Sequence, residues 1–218
     1  QLKNATFLRK INISEVVTKS HFTHISKLPT VLQEFADEFL ISLPVRIHDF
    51  SLIRNFFGIS NYEFHLSYKE LGEKALQVPK VYGNKFTLHL PDYCSSNSII
   101  DPLSADSSIR TESLKIIKKG IEFAKSLEDQ TGHEVGIVGS FSKCNTSNLD
   151  FYSQFVELIH ELVSNHIKLS LQWLPPIAWY FGGSVRLDVM NNLDAVKRLL
   201  ETKLPIVMDT SHLFLGSE

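Results

Sequence analysis

The hydrophobic pattern becomes regular from Pro44 onward. Val45-Arg46-Ile47-His48 alternates as a short strand does, and Phe50, Ile53, Phe56 and Phe57 follow at helical spacing, up to Gly58, a residue suited to ending a helix. Residues 62–66 predict a second strand and residues 85–90 a third, closed by Pro91. A long helix should follow, capped by Asp106 and stopped by Gly132, with Ile109, Ile116, Ile117, Ile121, Ala124 and Leu127 along one stripe. Residues 134–138 read as a fourth strand. Ser147 and Asp150 are spaced like a capping box before a helix whose buried face is Phe151, Phe155, Leu158, Ile159, Leu162 and Val163. Residues 168–174 predict a fifth strand, Asn192 a cap for a helix bearing Val196, Leu199 and Leu200, and residues 204–208 a sixth strand. The first 42 residues are less regular. An apolar pattern at Leu32, Phe35, Ala36, Phe39 and Leu40, with Pro29 near its start, suits a short amphipathic helix within residues 28–40.

Strands alternating with helices argue for an α/β fold with a parallel sheet. A doubly wound sheet and a (β/α)8 TIM barrel compete. No glycine-rich phosphate fingerprint follows the first strand, so a dinucleotide fold has no positive support. A barrel places polar and ionisable residues at the C-terminal ends of its strands. Such residues recur here: His48-Asp49, His65, His89 with Asp92, Ser140, Gln172, and Asp209 with His212. Six strands are read where a barrel needs eight over about 250 residues. The expectation is a TIM barrel truncated after its sixth strand, with residues 43–218 as the partial barrel and residues 1–42 as a linker or the tail of a preceding module. A short, open sheet is the alternative.

Composition narrows the function classes. The chain has 218 residues, 43% of them hydrophobic and 21% charged, which fits one soluble domain and excludes wholesale disorder. A net charge of -2 disfavours nucleic acid as the main partner. Two cysteines, Cys94 and Cys144, exclude a disulfide scaffold and a cysteine-based zinc finger, and both read as structural. The sequence carries neither an apolar run of membrane-spanning length nor a signal peptide, so a cytoplasmic location is expected. The chain opens on Gln1 rather than Met, which together with the strand count suggests a piece of a longer polypeptide.

The candidate chemistry lies at the strand ends. Asp209-Thr210-Ser211-His212 can point a carboxylate and an imidazole at one divalent cation; equally, Asp209 can cap the next turn while His212 is satisfied by a carbonyl. His89, between Leu88 and Leu90, is a ligand candidate or a satisfied structural residue. Glu63 and His65, two apart in a strand, face one side and make a candidate acid/base pair if that side is the interior. Gln172 ends an apolar strand and needs a partner if buried. Trp179, Tyr180 and Phe181, beside Gly182-Gly183, suit stacking on a sugar or a packed loop.

These strand ends resemble the xylose isomerase-like TIM barrels, a superfamily of sugar-phosphate isomerases and epimerases and of abasic-site endonucleases. The resemblance covers residues 44–218 and rests on His89, on the polar Gln172 and on Asp209 with His212. Three longer runs resemble the barrel domain fused behind the synthase module of bacterial sialic-acid-synthase-like proteins: Pro44-Val45-Arg46-Ile47-His48-Asp49-Phe50, Glu63-Phe64-His65-Leu66-Ser67-Tyr68-Lys69, and Pro175-Pro176 with Trp179-Tyr180-Phe181-Gly182-Gly183. The resemblance implies a divalent metal (Zn, Mn or Co) held by His89, Gln172, Asp209 and His212. Two departures matter. The superfamily usually ends its fifth strand in Glu, and a neutral amide in its place brings no charge, which weakens or abolishes the metal site. The endonuclease branch also has a His where this chain has Gly139-Ser140.

Three functions follow as expectations. The first is a metal-dependent isomerase or epimerase of a sugar or sugar phosphate, linked to sialic acid (nonulosonate) and surface-polysaccharide biosynthesis. Glu63 or His65 would move the proton, His48 and Lys69 would hold a phosphate or carboxylate, and Gln172 and Trp179 would bind substrate; an upstream synthase module is an expected partner in the same polypeptide. The second is a non-catalytic sugar-binding or docking module on the same fold. The third, an abasic-site endonuclease, is disfavoured by the charge and by Gly139-Ser140.

Overall fold

The computed structural model describes residues 30, 34, 42–72, 83–141, 151–162, 168–187, 191 and 193–215. The helix expected within 28–40, the Ser147–Asp150 capping box, Val163, Cys144 and Asn192 lie outside the described residues, as do the side chains of Phe151, Val196 and Leu199.

The described chain runs β1 (Leu43–Val45), α1 (Phe50–Phe57), β2 (Asn61–His65), α2 (Tyr68–Gly72), β3 (Lys85–His89), β4 (Tyr93–Ser95), β5 (Ser98–Ile99), α3 (Ser107–Thr131), β6 (Gly136–Gly139), α4 (Phe151–Leu162), β7 (Leu169–Gln172), β8 (Ile177–Tyr180), β9 (Gly183–Arg186), α5 (Leu193–Thr202), β10 (Ile206–Val207) and α6 (Thr210–Leu215). Six strands form one sheet in the order β1-β2-β3-β6-β7-β10, every pairing parallel. Spatial order thus follows chain order. A doubly wound sheet reverses direction part-way, so it is not the arrangement of these strands. Right-handed crossovers that always step the same way place their helices on one face of the sheet.

That face is the core. Tyr62 and Phe64 of β2, Phe86 and Leu88 of β3, Ile137 of β6 and Leu169 and Leu171 of β7 are buried, as the two-residue period of a strand dictates. Phe50 of α1 inserts among them, with its ring centroid 5.0 Å from Tyr62, 5.3 Å from Phe64 and 5.6 Å from Phe86. Helix α3 adds Ile116, Ile117, Ile121, Phe123, Ala124 and Leu127, while Ile109 at its start is only partly buried. Its Asp106 cap accepts from the amides of Ser108 and Ile109, and Gly132 ends it at φ 69°. Gly120 lets α3 approach closely, since a Cβ there would meet the buried Leu90 side chain at the end of β3.

Several boundaries differ from the sequence reading. The first strand stops at Val45, and residues 46–49 turn instead, with the amide of Asp49 donating to the Arg46 carbonyl at 3.1 Å. Pro44 is tolerated because β1, among the described residues, pairs on one side only. The fifth strand ends at Gln172 and the sixth shrinks to two residues. Short elements went unread: α2, α6 and the antiparallel hairpins β4–β5 and β8–β9. The α2 signal was present as Ser67-Tyr68-Lys69-Glu70, a capping box in which the Glu70 amide donates to Ser67 Oγ (3.3 Å) and the Ser67 amide to Glu70 Oε2 (2.8 Å). The β8–β9 turn, Phe181-Gly182, has φ 56° and 77°, as a two-residue hairpin of the twist-matched kind requires. Among the described residues no helix is long and apolar enough to cross a membrane.

Candidate functional site

The alternation that buries Tyr62 and Phe64 turns Glu63 and His65 to the opposite face. Thr87 and His89 of β3 and Ser170 and Gln172 of β7 are out of phase with their buried neighbours in the same sense, although Gln172 is itself buried. His65 and His89 are register partners on adjacent strands. Strand spacing is about 4.8 Å, and the two imidazoles accordingly stack at 4.8 Å and 13°.

Every ring in the site has one nitrogen committed. His65 Nε2 donates to Glu63 Oε1 at 2.6 Å, and Thr87 Oγ1 lies 3.5 Å from Glu63 Oε2. That hydrogen bond from His65 is the main reason the Glu63 carboxyl is held below its ordinary value; burial opposes it, and the charges of His65 and His89 add to it. His65 Nδ1 makes no hydrogen bond among the described residues. His89 Nδ1 donates to the Leu90 carbonyl at 2.8 Å, and His212 Nδ1 to the Trp173 carbonyl at 2.9 Å. Such bonds set the tautomer and turn the other ring nitrogen toward a ligand or a neighbour.

Gln172 ties the strand ends together. Its Oε1 accepts from Ser140 Oγ at 2.6 Å and lies 2.8 Å from His89 Nε2; its Nε2 donates to Asp209 Oδ2 at 3.0 Å. The Leu90 carbonyl already takes one ring proton of His89. The contact with Gln172 Oε1 is therefore a hydrogen bond only with a proton on each ring nitrogen. Turning the amide would satisfy His89 but set oxygen against the Asp209 carboxylate. Asp209 Oδ1 caps α6, accepting from the amides of Ser211 (2.8 Å) and His212 (3.1 Å). Capping by Asp209 and a carbonyl partner for His212 are thus both present, and both side chains still face the pocket.

The pocket has a volume of about 570 Å³ and brings together His65, His89, Asp92, Ser140, Gln172, Asp209 and His212 with residues of the β8–β9 hairpin, Trp179 among them. Its position, at the carboxyl ends of parallel strands, is where α/β folds hold ligands.

No protein-family model matches the chain, and no curated protein matches it.

Of the residues singled out from sequence, Glu63 stands behind His65 rather than in the pocket lining. His48 and Lys69 are exposed and outside the lining; His48 lies 3.4 Å from Asp49 and 3.7 Å from Glu70. Arg46, also beyond the end of β1, donates through Nη1 to the His65 carbonyl at 2.7 Å. Among the described residues, no three His, Cys, Asp or Glu side chains converge as a metal ion requires. The neutral Gln172 amide instead spans from His89 to Asp209, so the expected donors do not fit a cation as they are arranged. Cys94 is buried, and burial pushes its thiol up from its ordinary value, consistent with a structural role. Asp92 and Ser140 stand at strand ends in the sequence, but nothing in their spacing assigns them roles. The segment after Pro175-Pro176 forms a hairpin wall of the pocket that the sequence pattern does not announce by itself. The alternation of Ile177 and Trp179 with Ala178 and Tyr180 was the available signal.

Proposed function

We propose that this pocket is the substrate site of a sugar isomerase or epimerase, built at the open end of a (β/α)8-type barrel of the xylose isomerase-like kind. The observation that carries the reading is the Glu63–His65 pair: one imidazole nitrogen bonded to a carboxylate at 2.6 Å, with the ring lining the pocket. In the reaction, His65 Nδ1 removes a proton from the carbon beside the substrate carbonyl. The C–H electrons form the carbon–carbon double bond of an enediolate, and the carbonyl electrons move onto oxygen. Returning the proton to the adjacent carbon, as the hydroxyl proton passes from the neighbouring oxygen to the former carbonyl oxygen, gives the isomer; returning it to the other face of the same carbon, with the carbonyl re-formed in place, gives the epimer. Glu63 is a positioning residue that fixes the ring and stabilises its protonated form. Asp209, Ser140 and the Nε2 of His212 are placed to bond substrate hydroxyls. The wound-in-order sheet supports the barrel. The runs that resemble sialic-acid-synthase-like proteins support a substrate drawn from surface-glycan sugars, with a synthase module as partner.

The test is product analysis by NMR after incubation with aldoses, ketoses and their phosphates. Conversion by the wild type, reduced on the order of 10²- to 10⁴-fold in His65→Ala, is expected. Conversion that is equal in the two proteins would overturn the assignment of the base. A second reading, sugar binding without turnover, is favoured by one observation: Gln172 is neutral where the resembling enzymes carry Glu. Saturable binding with no conversion would select it.

A further inference from the structure

We propose that the pocket selects an uncharged, ring-form sugar, seated with its apolar face on Trp179 and its hydroxyls on Asp92 and Asp209, and that it rejects the phosphorylated form. This rests on the pocket being the substrate site, and it narrows the substrate to one class.

Three observations carry it. The first is Trp179. It lines the pocket yet is 71% exposed, the largest apolar side chain of the fold left facing water. The hairpin that carries it is anchored. The next residue, Tyr180, packs edge-on against Tyr93 at 5.4 Å, and Phe181 at the turn does so at 5.0 Å. At the hairpin's base the Leu187 amide donates to the Pro176 carbonyl at 2.9 Å. A wetted indole at a pocket rim is a platform for a flat, weakly polar surface, such as the C–H face of a pyranose.

The second is Asp92. It lines the pocket, and its carboxylate makes no hydrogen bond or ion pair among the described residues; its backbone carbonyl is held by the Ile100 amide at 2.9 Å. A carboxylate accepts only, so two adjacent hydroxyls can donate to its two oxygens.

The third is the charge arrangement. Two of the three pocket imidazoles face a carboxylate, and the third, His89, is held between the Leu90 carbonyl and Gln172 Oε1. His65 is bonded to Glu63, and His212 has Asp209 at 3.4 Å. Asp92 has no such partner among the described residues, and the Asp209 carboxylate lines the same cavity, its Oδ2 bonded to the neutral Gln172 amide. Like charges repel, so a phosphate dianion meets two carboxylates where a neutral hydroxyl meets two acceptors.

Calorimetric titration of the full chain with glucose, mannose and N-acetylglucosamine, and with glucose 6-phosphate and glucosamine, tests this. The expected result is binding of at least one neutral sugar, at least tenfold tighter than the phosphate. Trp179→Ala should weaken it at least tenfold, with Trp179→Phe retaining most of the affinity. Asp92→Asn should lower the discrimination against phosphate. Tighter binding of the phosphate, preference for the protonated amine, an unaffected Trp179→Ala variant, or no binding of any neutral sugar would each overturn the proposal. Because the readout is binding, a neutral sugar that binds without being converted leaves this inference standing while removing the isomerase reading. A phosphate that is bound and converted does the reverse.

Discussion

At the residue scale, the site is organised by what each polar group is bonded to. Glu63 shows this most clearly. Its carboxyl is held below the ordinary 4.5 by the hydrogen bond from His65. The folded state thus binds this proton less readily than the unfolded state. The stabilisation it provides is full above that ordinary value and is lost as pH falls through the depressed one. The melting temperature of Glu63→Gln should therefore lie below that of the wild type at neutral pH, and the gap should close as the pH is taken well under 4.5. A gap that stays constant across the titration would mean the ion pair contributes nothing. The candidates for this chemistry were legible in sequence because a strand alternates: Glu63 and His65 had to share a face. Which of the two meets substrate was not legible, since that depends on His65 lying nearer the strand end beside His89. The bond from Gln172 to Asp209 joins residues 37 apart, and no local pattern reports it.

At the element scale, the long helix α3 and the core strands followed from spacing alone, because stripes such as Ile117, Ile121 and Ala124 can be buried together only on a helix. The Asp106 cap is the part most open to a clean test. Two amide donors depend on it. Asp106→Ala should cost about 1 kcal/mol, lowering the melting temperature by roughly 2–4 °C for a chain of this size. Asp106→Ser should restore most of the loss, because it keeps an acceptor oxygen; an unchanged Asp106→Ala would show that the helix start is held by tertiary packing instead. Short elements escaped notice for a physical reason. Two- to six-residue strands and helices carry too few positions for periodicity, and β8–β9 depends on Phe181 accepting a left-handed backbone that its residue type disfavours. Its ring packs edge-on against Tyr93, a contact between segments far apart in sequence.

At the scale of the whole molecule, the alternation of strands and helices was legible, but the order of the strands was not; the uninterrupted order β1-β2-β3-β6-β7-β10 came from the structure. That order leaves β1 and β10 as the outer strands of the described sheet, and Met208 and Phe214 beside β10 are 51% and 68% exposed. An unpaired edge with apolar neighbours invites association. Sedimentation velocity on the 218-residue chain should show a mass that rises with loading concentration, and Met208→Lys with Phe214→Lys should suppress the rise. A concentration-independent monomer would show that this edge is already protected. The central claim is that the pocket moves a proton on and off carbon, and solvent exchange tests it most directly. The chain is incubated with a sugar that it binds in deuterium oxide, and deuterium at the carbon beside the carbonyl is followed by NMR. The account predicts incorporation by the wild type, slower incorporation with Glu63→Gln, and none above background with His65→Ala. Incorporation that is unchanged by the loss of His65, or absent from the wild type with bound sugar, would contradict it.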